Sequence, residues 1–122
     1  SFIAREDLKK PTLEKLSFFS DEDFKKYFSG SPIKRIGRDQ FMRNVLISIG
    51  NSADQSLVKT TINLLYDVSP IVRLAAVWAL GQICRDTFLL EMNKQIIKEK
   101  DTEVINEWLE SKKEINKSKA HE

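Results

Sequence analysis

The sequence predicts an all-α protein built as a short solenoid of helical repeats. Three observations carry this. Apolar residues recur at helical spacing over most of the chain, and no stretch of any length alternates with a strand's period of two. Small and polar residues fall between these stretches as helix starts and stops. The pattern also repeats. With Gly50 set on Gly81, Phe41 falls on Val72, Val45 on Ala76, Leu46 on Val77 and Ile49 on Leu80. Val104 then follows Val72 by 32 residues. A helix pair recurring at that interval stacks into a solenoid, because each pair buries its apolar face only against its neighbours.

The elements follow in order. Ser1 to Lys10 reads as an extended lead, closed by Pro11, and Thr12 to Phe18 as a short apolar-periodic piece with Leu13 and Leu16 inward. Ser20 is a helix N-cap, followed by Asp21, Glu22 and Asp23 in the first turn, where negative charge complements the helix dipole. Gly30 ends that helix. Phe18, Phe19, Phe24, Tyr27 and Phe28 cluster here and read as packing rather than as base-stacking rings. Asp39 to Ile49 is the next helix, stopped at Gly50-Asn51. Ser52 or Asp54 caps a helix with Leu57, Val58, Ile62 and Leu65 inward. Ser69-Pro70 sets an N-cap before a proline at the first helical position. The helix it opens, Ile71 to Cys84, is apolar nearly all round and belongs at the centre. Asp86 caps Phe88 to Lys98, and Asp101 caps a last helix carrying Val104, Ile105, Trp108 and Leu109. From Ser111 the pattern fades into a fraying tail. The expected division is therefore a linker over 1–19, a helical domain over 20–110 and a frayed tail over 111–122.

Composition narrows the function classes. The 122 residues suffice for one modest core, and net charge is only +2. No apolar run nears the ~18–20 residues of a membrane span. A single cysteine, Cys84, excludes an internal disulfide and fits a reducing, cytoplasmic setting. It equally excludes a complete thiolate-ligated metal or cluster site within this chain. No carboxylate dyad, nucleophile–base pair or phosphate-cradling glycine loop is visible, so no catalytic or metal-ligating residue is assigned.

Charge, however, is uneven. Between Lys25 and Arg43 lie six cations and a single anion. Lys34, Arg35, Arg38 and Arg43 occupy or adjoin a turn punctuated by Gly30, Pro32 and Gly37. Cations fixed beside free backbone N–H groups bind a nucleic-acid backbone well. The competing reading is a solvated turn, with Arg38 and Arg43 paired to acids such as Asp39 or Asp67. Asn44 and Arg73 read as structural, with Arg73 tying adjacent turns together.

Three segments carry a resemblance. SPIVRLAAVWALGQI (Ser69 to Ile83) is similar to short bacterial HEAT repeats, although the period is below the ~40 residues usual for them. SDEDFKKYFSGSPIKRIGRDQFMRNVLISIGNS (Ser20 to Ser52) resembles the start of the carboxy-terminal helical region of epoxyqueuosine reductases. FIAREDLKKPTLEKL (Phe2 to Leu16) is similar to the linker after that family's last cluster-binding cysteines. The resemblance implies a HEAT-like region of a larger enzyme that reduces epoxyqueuosine in tRNA to queuosine. It implies cobalamin and two 4Fe-4S clusters in the parent, with none held by this fragment. It also implies tRNA, through its anticodon arm, and the rest of the parent chain as partners, with no membrane and a monomeric state. On this reading Lys34, Arg35, Arg38 and Arg43 form one exposed tRNA-binding face. The alternative is a HEAT-type protein–protein scaffold without nucleic-acid binding. A scaffold calls for an apolar or acidic groove, and a tRNA platform for the basic turn facing the groove.

Overall fold

The computed structural model describes residues 10–30 and 37–120. They form α1 (Lys10–Ser17), α2 (Asp21–Tyr27), α3 (Gly37–Ser52), a 3-10 turn (Gln55–Leu57), α4 (Val58–Leu64), α5 (Pro70–Ile83), α6 (Arg85–Gln95) and α7 (Thr102–Ala120). Among the described residues there is no strand, as expected of an all-α helical repeat.

The helix starts follow from their caps. The Ser20 hydroxyl accepts from the Asp23 N–H, and the Asp23 carboxylate accepts from the Ser20 N–H, closing a capping box. Asp54 caps the 3-10 turn through the Ser56 N–H. Ser69 caps α5, with Pro70 in its first turn. Asp101 accepts from the Glu103 and Val104 N–H groups at the start of α7. Asp86, by contrast, is no cap. Helix α6 begins one residue earlier, at Arg85, and Asp86 sits inside its first turn.

Helices α3, α5 and α7 lie side by side. The start of α3 reaches the residues before α5, and the start of α5 reaches those before α7. Gly50, late in α3, meets Trp78, and Gly81, late in α5, lies near Ile115 of α7. The three therefore run parallel, with their N-termini along one edge. Helices α4 and α6 pack against α5 and complete the helix pairs. Helix α5 is the centre: Val72, Ala76, Val77, Ala79 and Leu80 are essentially inaccessible. Around it pack Val45, Leu46 and Ile49 of α3, Leu57 before α4, Phe88 of α6 and Trp108 of α7.

Three boundaries differ from the sequence expectation. Gly50 does not stop α3. It is buried inside the helix, which runs on to Ser52 and ends at Ala53 with φ +54. A Cβ on Gly50 would clash with the edge of the Trp78 ring, so the residue is glycine for close approach. Helix α7 continues far past Ser111 because Ser111 and Ile115 are buried on the face that carries Val104 and Trp108. Finally, residues 10–17 pack as a helix of the same folded unit rather than as a bare linker. Leu13 of α1 is fully buried, and α1 contacts α3 and α4.

Candidate nucleic-acid interface

The basic turn was expected to present four cations on one face. Lys34 and Arg35 lie outside the described residues. The turn is delivered between Gly30 (φ +78) and Gly37 (φ +77), both in the left-handed region that favours glycine. Arg38 and Arg43 do not share a face. Five residues turn an α-helix by about 140°, so the two side chains leave α3 in divergent directions.

Arg38 is engaged within the fold. Its Nε donates to the Phe19 carbonyl at 2.6 Å. Its Nη1 and Nη2 donate to the two Asp67 carboxylate oxygens at 3.1 and 2.6 Å. Both side chains are about nine-tenths buried, at 12% and 9% exposure. The geometry is the bidentate fork that only a guanidinium offers. Hydrogen bonding to Asp67 raises the Arg38 pKa against the opposing effect of burial. Burial pushes the Asp67 carboxyl up, but the Arg38 fork and the Ser69 N–H outweigh it and hold it below its usual value. Arg38 thus departs from the exposed role expected of it and matches the paired alternative. It joins the α1–α2 turn, α3 and the α4–α5 turn.

A second clasp repeats this one repeat later, and the sequence anticipated its arginine. Arg73 donates from Nε and Nη2 to Glu99 at 2.9 and 3.0 Å. Its Nη1 donates to the carbonyls of Asp67 and Val68 at 2.9 and 3.1 Å. The Arg73 pKa is raised, first by the hydrogen bonds to Glu99. Burial raises the Glu99 carboxyl, and the Arg73 fork with the Asp101 and Lys100 N–H groups brings it below its usual value. Asp67 and Glu99 stand 32 residues apart, and each holds the backbone two residues on, just before the next parallel helix. That spacing was a signal for the second acid which sequence reading passed over.

Arg43 is exposed and lines a groove of about 370 Å³ between α3, α5 and α7. Ile47, Asn51, Leu74, Trp78 and Glu107 complete its wall. The lining is mainly apolar, with one cation and one carboxylate. Arg43 sits about 9 Å along α3 from Gly37, at 1.5 Å per residue.

Among the aromatic residues, Phe24 and Phe41 are buried, and Phe28 and Phe19 extend the cluster with contacting centroids 4.9–6.2 Å apart. That is a core cluster, as expected. Phe18 and Tyr27 are exposed at its margin. Cys84 is half-buried, and its thiol lies 3.1 Å from the Thr87 hydroxyl. Among the described residues no group of three or more His, Cys, Asp or Glu could hold a metal ion. One thiol cannot ligate a 4Fe-4S cluster, so the residues present do not fit that cofactor. No described helix is long and apolar enough to cross a membrane.

Comparison with known proteins bears on the same residues. The HEAT repeat family matches residues 57–86. An uncharacterized protein in the gldA 3′ region of Geobacillus stearothermophilus is 33% identical over 102 residues, 83% of this chain and 47% of that protein. Epoxyqueuosine reductase of Bacillus subtilis is 30% identical over 98 residues, 80% of this chain and 25% of the enzyme. That of Escherichia coli is 31% identical over 81 residues, 66% of this chain and 21% of the enzyme. No solved structure matches. The chain spans about half of the Geobacillus protein and a quarter or less of these two reductases. It is thus an all-α, HEAT-like chain that resembles, over most of its length, one segment of the epoxyqueuosine reductases.

Proposed function

We propose that this chain is the carboxy-terminal helical region of an epoxyqueuosine reductase-like protein. In that role it helps hold the anticodon arm of tRNA while the remainder of the protein reduces epoxyqueuosine to queuosine. The observation that carries this reading is the similarity to several epoxyqueuosine reductases over two-thirds to four-fifths of the chain. Cobalamin and the 4Fe-4S clusters would belong to the remainder, which would work as a cytoplasmic monomer. Lys34, Arg35 and Arg43 are the proposed phosphate contacts. Arg38 is the positioning residue: clasped at the exit of the basic turn, it fixes where that turn meets α3.

The test is tRNA affinity against salt for the full-length protein, its Lys34→Gln/Arg35→Gln variant and its Arg43→Gln variant. Each lost phosphate contact should weaken binding and lower the salt slope by roughly 0.7–0.9. Sequence preference should hardly change, because phosphate contacts position RNA without reading it. Superimposable curves would remove the basic turn from the interface.

One observation favours the scaffold reading: the groove beside Trp78 is more apolar than a polyanion needs. If the scaffold reading holds, Trp78→Ala abolishes capture of a peptide partner and Arg43→Gln leaves RNA binding at background.

A further inference from the structure

The groove is not the most cationic concavity of the molecule. Along the edge formed by the N-termini of α3, α5 and α7 lies a notch of about 320 Å³, between the α4–α5 and α6–α7 turns. Tyr66, Arg73, Gln95, Lys98 and Lys100 line it, together with the two clasped acids. We infer that this notch is a nucleotide subsite for a single-stranded RNA segment, in which Tyr66 stacks a base and Lys98 and Lys100 hold the adjoining phosphates. This rests on the tRNA reading above and extends the interface from the basic turn into the second repeat.

Three features point this way. First, the ring is available: Tyr66 is 57% exposed and makes no ring–ring contact with the described aromatics. A base offers a π-face to such a ring whatever its identity. Second, the charge is available. Asp67 and Glu99 are already saturated by Arg38 and Arg73. Lys98 and Lys100 are exposed, and neither pairs with a carboxylate among the described residues. The field of the notch is therefore that of its cations, the condition for drawing in a phosphate. Third, the notch is rigid. Tyr66 precedes the clasped Asp67, and Lys98 and Lys100 flank the clasped Glu99. Arg73 bonds both turns at once, which fixes the two turns, and so the points from which the ring and the lysines project, relative to each other.

An exposed tyrosine alone means little, since single apolar side chains on a surface are ordinary. Val68, 91% exposed on the same turn, would suit a protein partner equally well. The two unpaired lysines favour a polyanion.

The test uses the full-length protein and a fluorescein-labelled anticodon stem-loop transcript, titrated at several salt concentrations. Tyr66→Ala should weaken binding about tenfold with an unchanged salt slope, the low end for loss of one stacked base. Tyr66→Phe should bind as wild type, because the ring and not the hydroxyl is used. Lys98→Gln/Lys100→Gln should weaken binding and lower the slope by about 1.4, two contacts to a single strand. Thermal midpoints of all three should stay at the wild-type value, since these side chains are exposed. Absence of either the Tyr66→Ala loss or the slope change overturns the subsite. If that happens while Arg43→Gln still weakens binding, the broader tRNA reading survives. No binding of the transcript by the wild-type protein at low salt overturns both.

Discussion

The α3–α5 and α5–α7 junctions are built from equivalent parts used in different ways. Each has an arginine early in one helix and an acid just before the next. Arg38 meets Asp67 end-on through Nη1 and Nη2, leaving Nε for the Phe19 carbonyl upstream. Arg73 meets Glu99 side-on through Nε and Nη2, leaving Nη1 for the carbonyls of the turn before its own helix. The first clasp ties in the amino-terminal helices, and the second ties consecutive repeats. Each junction also has a glycine late in its first helix. Gly50 is covered by the Trp78 ring, whereas a Cβ on Gly81 would meet Phe88 and Ile115 at ordinary contact distances of 3.4–3.7 Å. A repeat in sequence therefore preserves where the helices pack, while the valences left over are used for whatever neighbours each junction.

The largest expected effect lies in the helix that both junctions share. Leu80→Ala, at a fully buried site, should cost on the order of 2–5 kcal/mol of unfolding free energy. Lys112→Ala, at an exposed position of α7, should cost less than about 0.5 kcal/mol. Chemical denaturation of both variants checks this, and equal midpoints would break the assignment of α5 as the common core.

The clasps should rank next. Asp67→Asn leaves the buried Arg38 with only the half-exposed Asp39, 3.9 Å away, as counter-charge, at a cost of roughly 2–3 kcal/mol. Glu99→Gln should cost roughly 1–2 kcal/mol, because Arg73 is more exposed and keeps its two carbonyl partners. The reverse order in urea melts would mean that the α5–α7 junction is the tighter one.

Both acids also make a pH prediction. Each has a folded pKa below its ordinary value, so each contributes stability that is present above its unfolded pKa of about 4. That stability is lost as pH falls through the lower folded value, when the carboxylates take up protons and release the arginines. Wild type should therefore lose stability steeply below about pH 4, and Asp67→Asn less steeply. Parallel curves of unfolding free energy against pH would remove Asp67 from the linkage.

The glycine pair gives the smallest effect and the sharpest contrast in sign. An exposed helix interior gains up to about 1 kcal/mol from Gly→Ala. At Gly81 part of that gain should appear. At Gly50 the clash with Trp78 should reverse it, giving a net loss of roughly 1–2 kcal/mol. Adding Trp78→Leu to Gly50→Ala should recover some of the loss. Matching shifts at the two glycines would mean that the ring simply moves aside into the groove.

Much of the fold and part of the candidate site were legible in the sequence. The helices at Ser20, Ser69 and Asp101 were announced by their caps, because an N-cap is a bond between residues two or three apart. The apolar circumference of α5 announced its central place. The pairing of Arg38 with Asp67 was visible only as one alternative, although the five-residue spacing to Arg43 already argued against a common face. The second acid, Glu99, was missed because its equivalence to Asp67 lies in the turns, outside the apolar pattern that was aligned.

By itself, then, the sequence determined which segments of the core are helical, where most begin, and that helix pairs recur. These are consequences of local hydrogen bonding and of apolar spacing, both readable along the chain. The tertiary structure decided which acid each arginine meets across 26 or 29 residues. It decided that Gly50 makes room for a ring rather than ending a helix, and that Ser111 and Ile115 carry α7 beyond the point where its pattern thins. Those outcomes depend on the distance between side chains brought together by packing, a quantity that no local pattern contains.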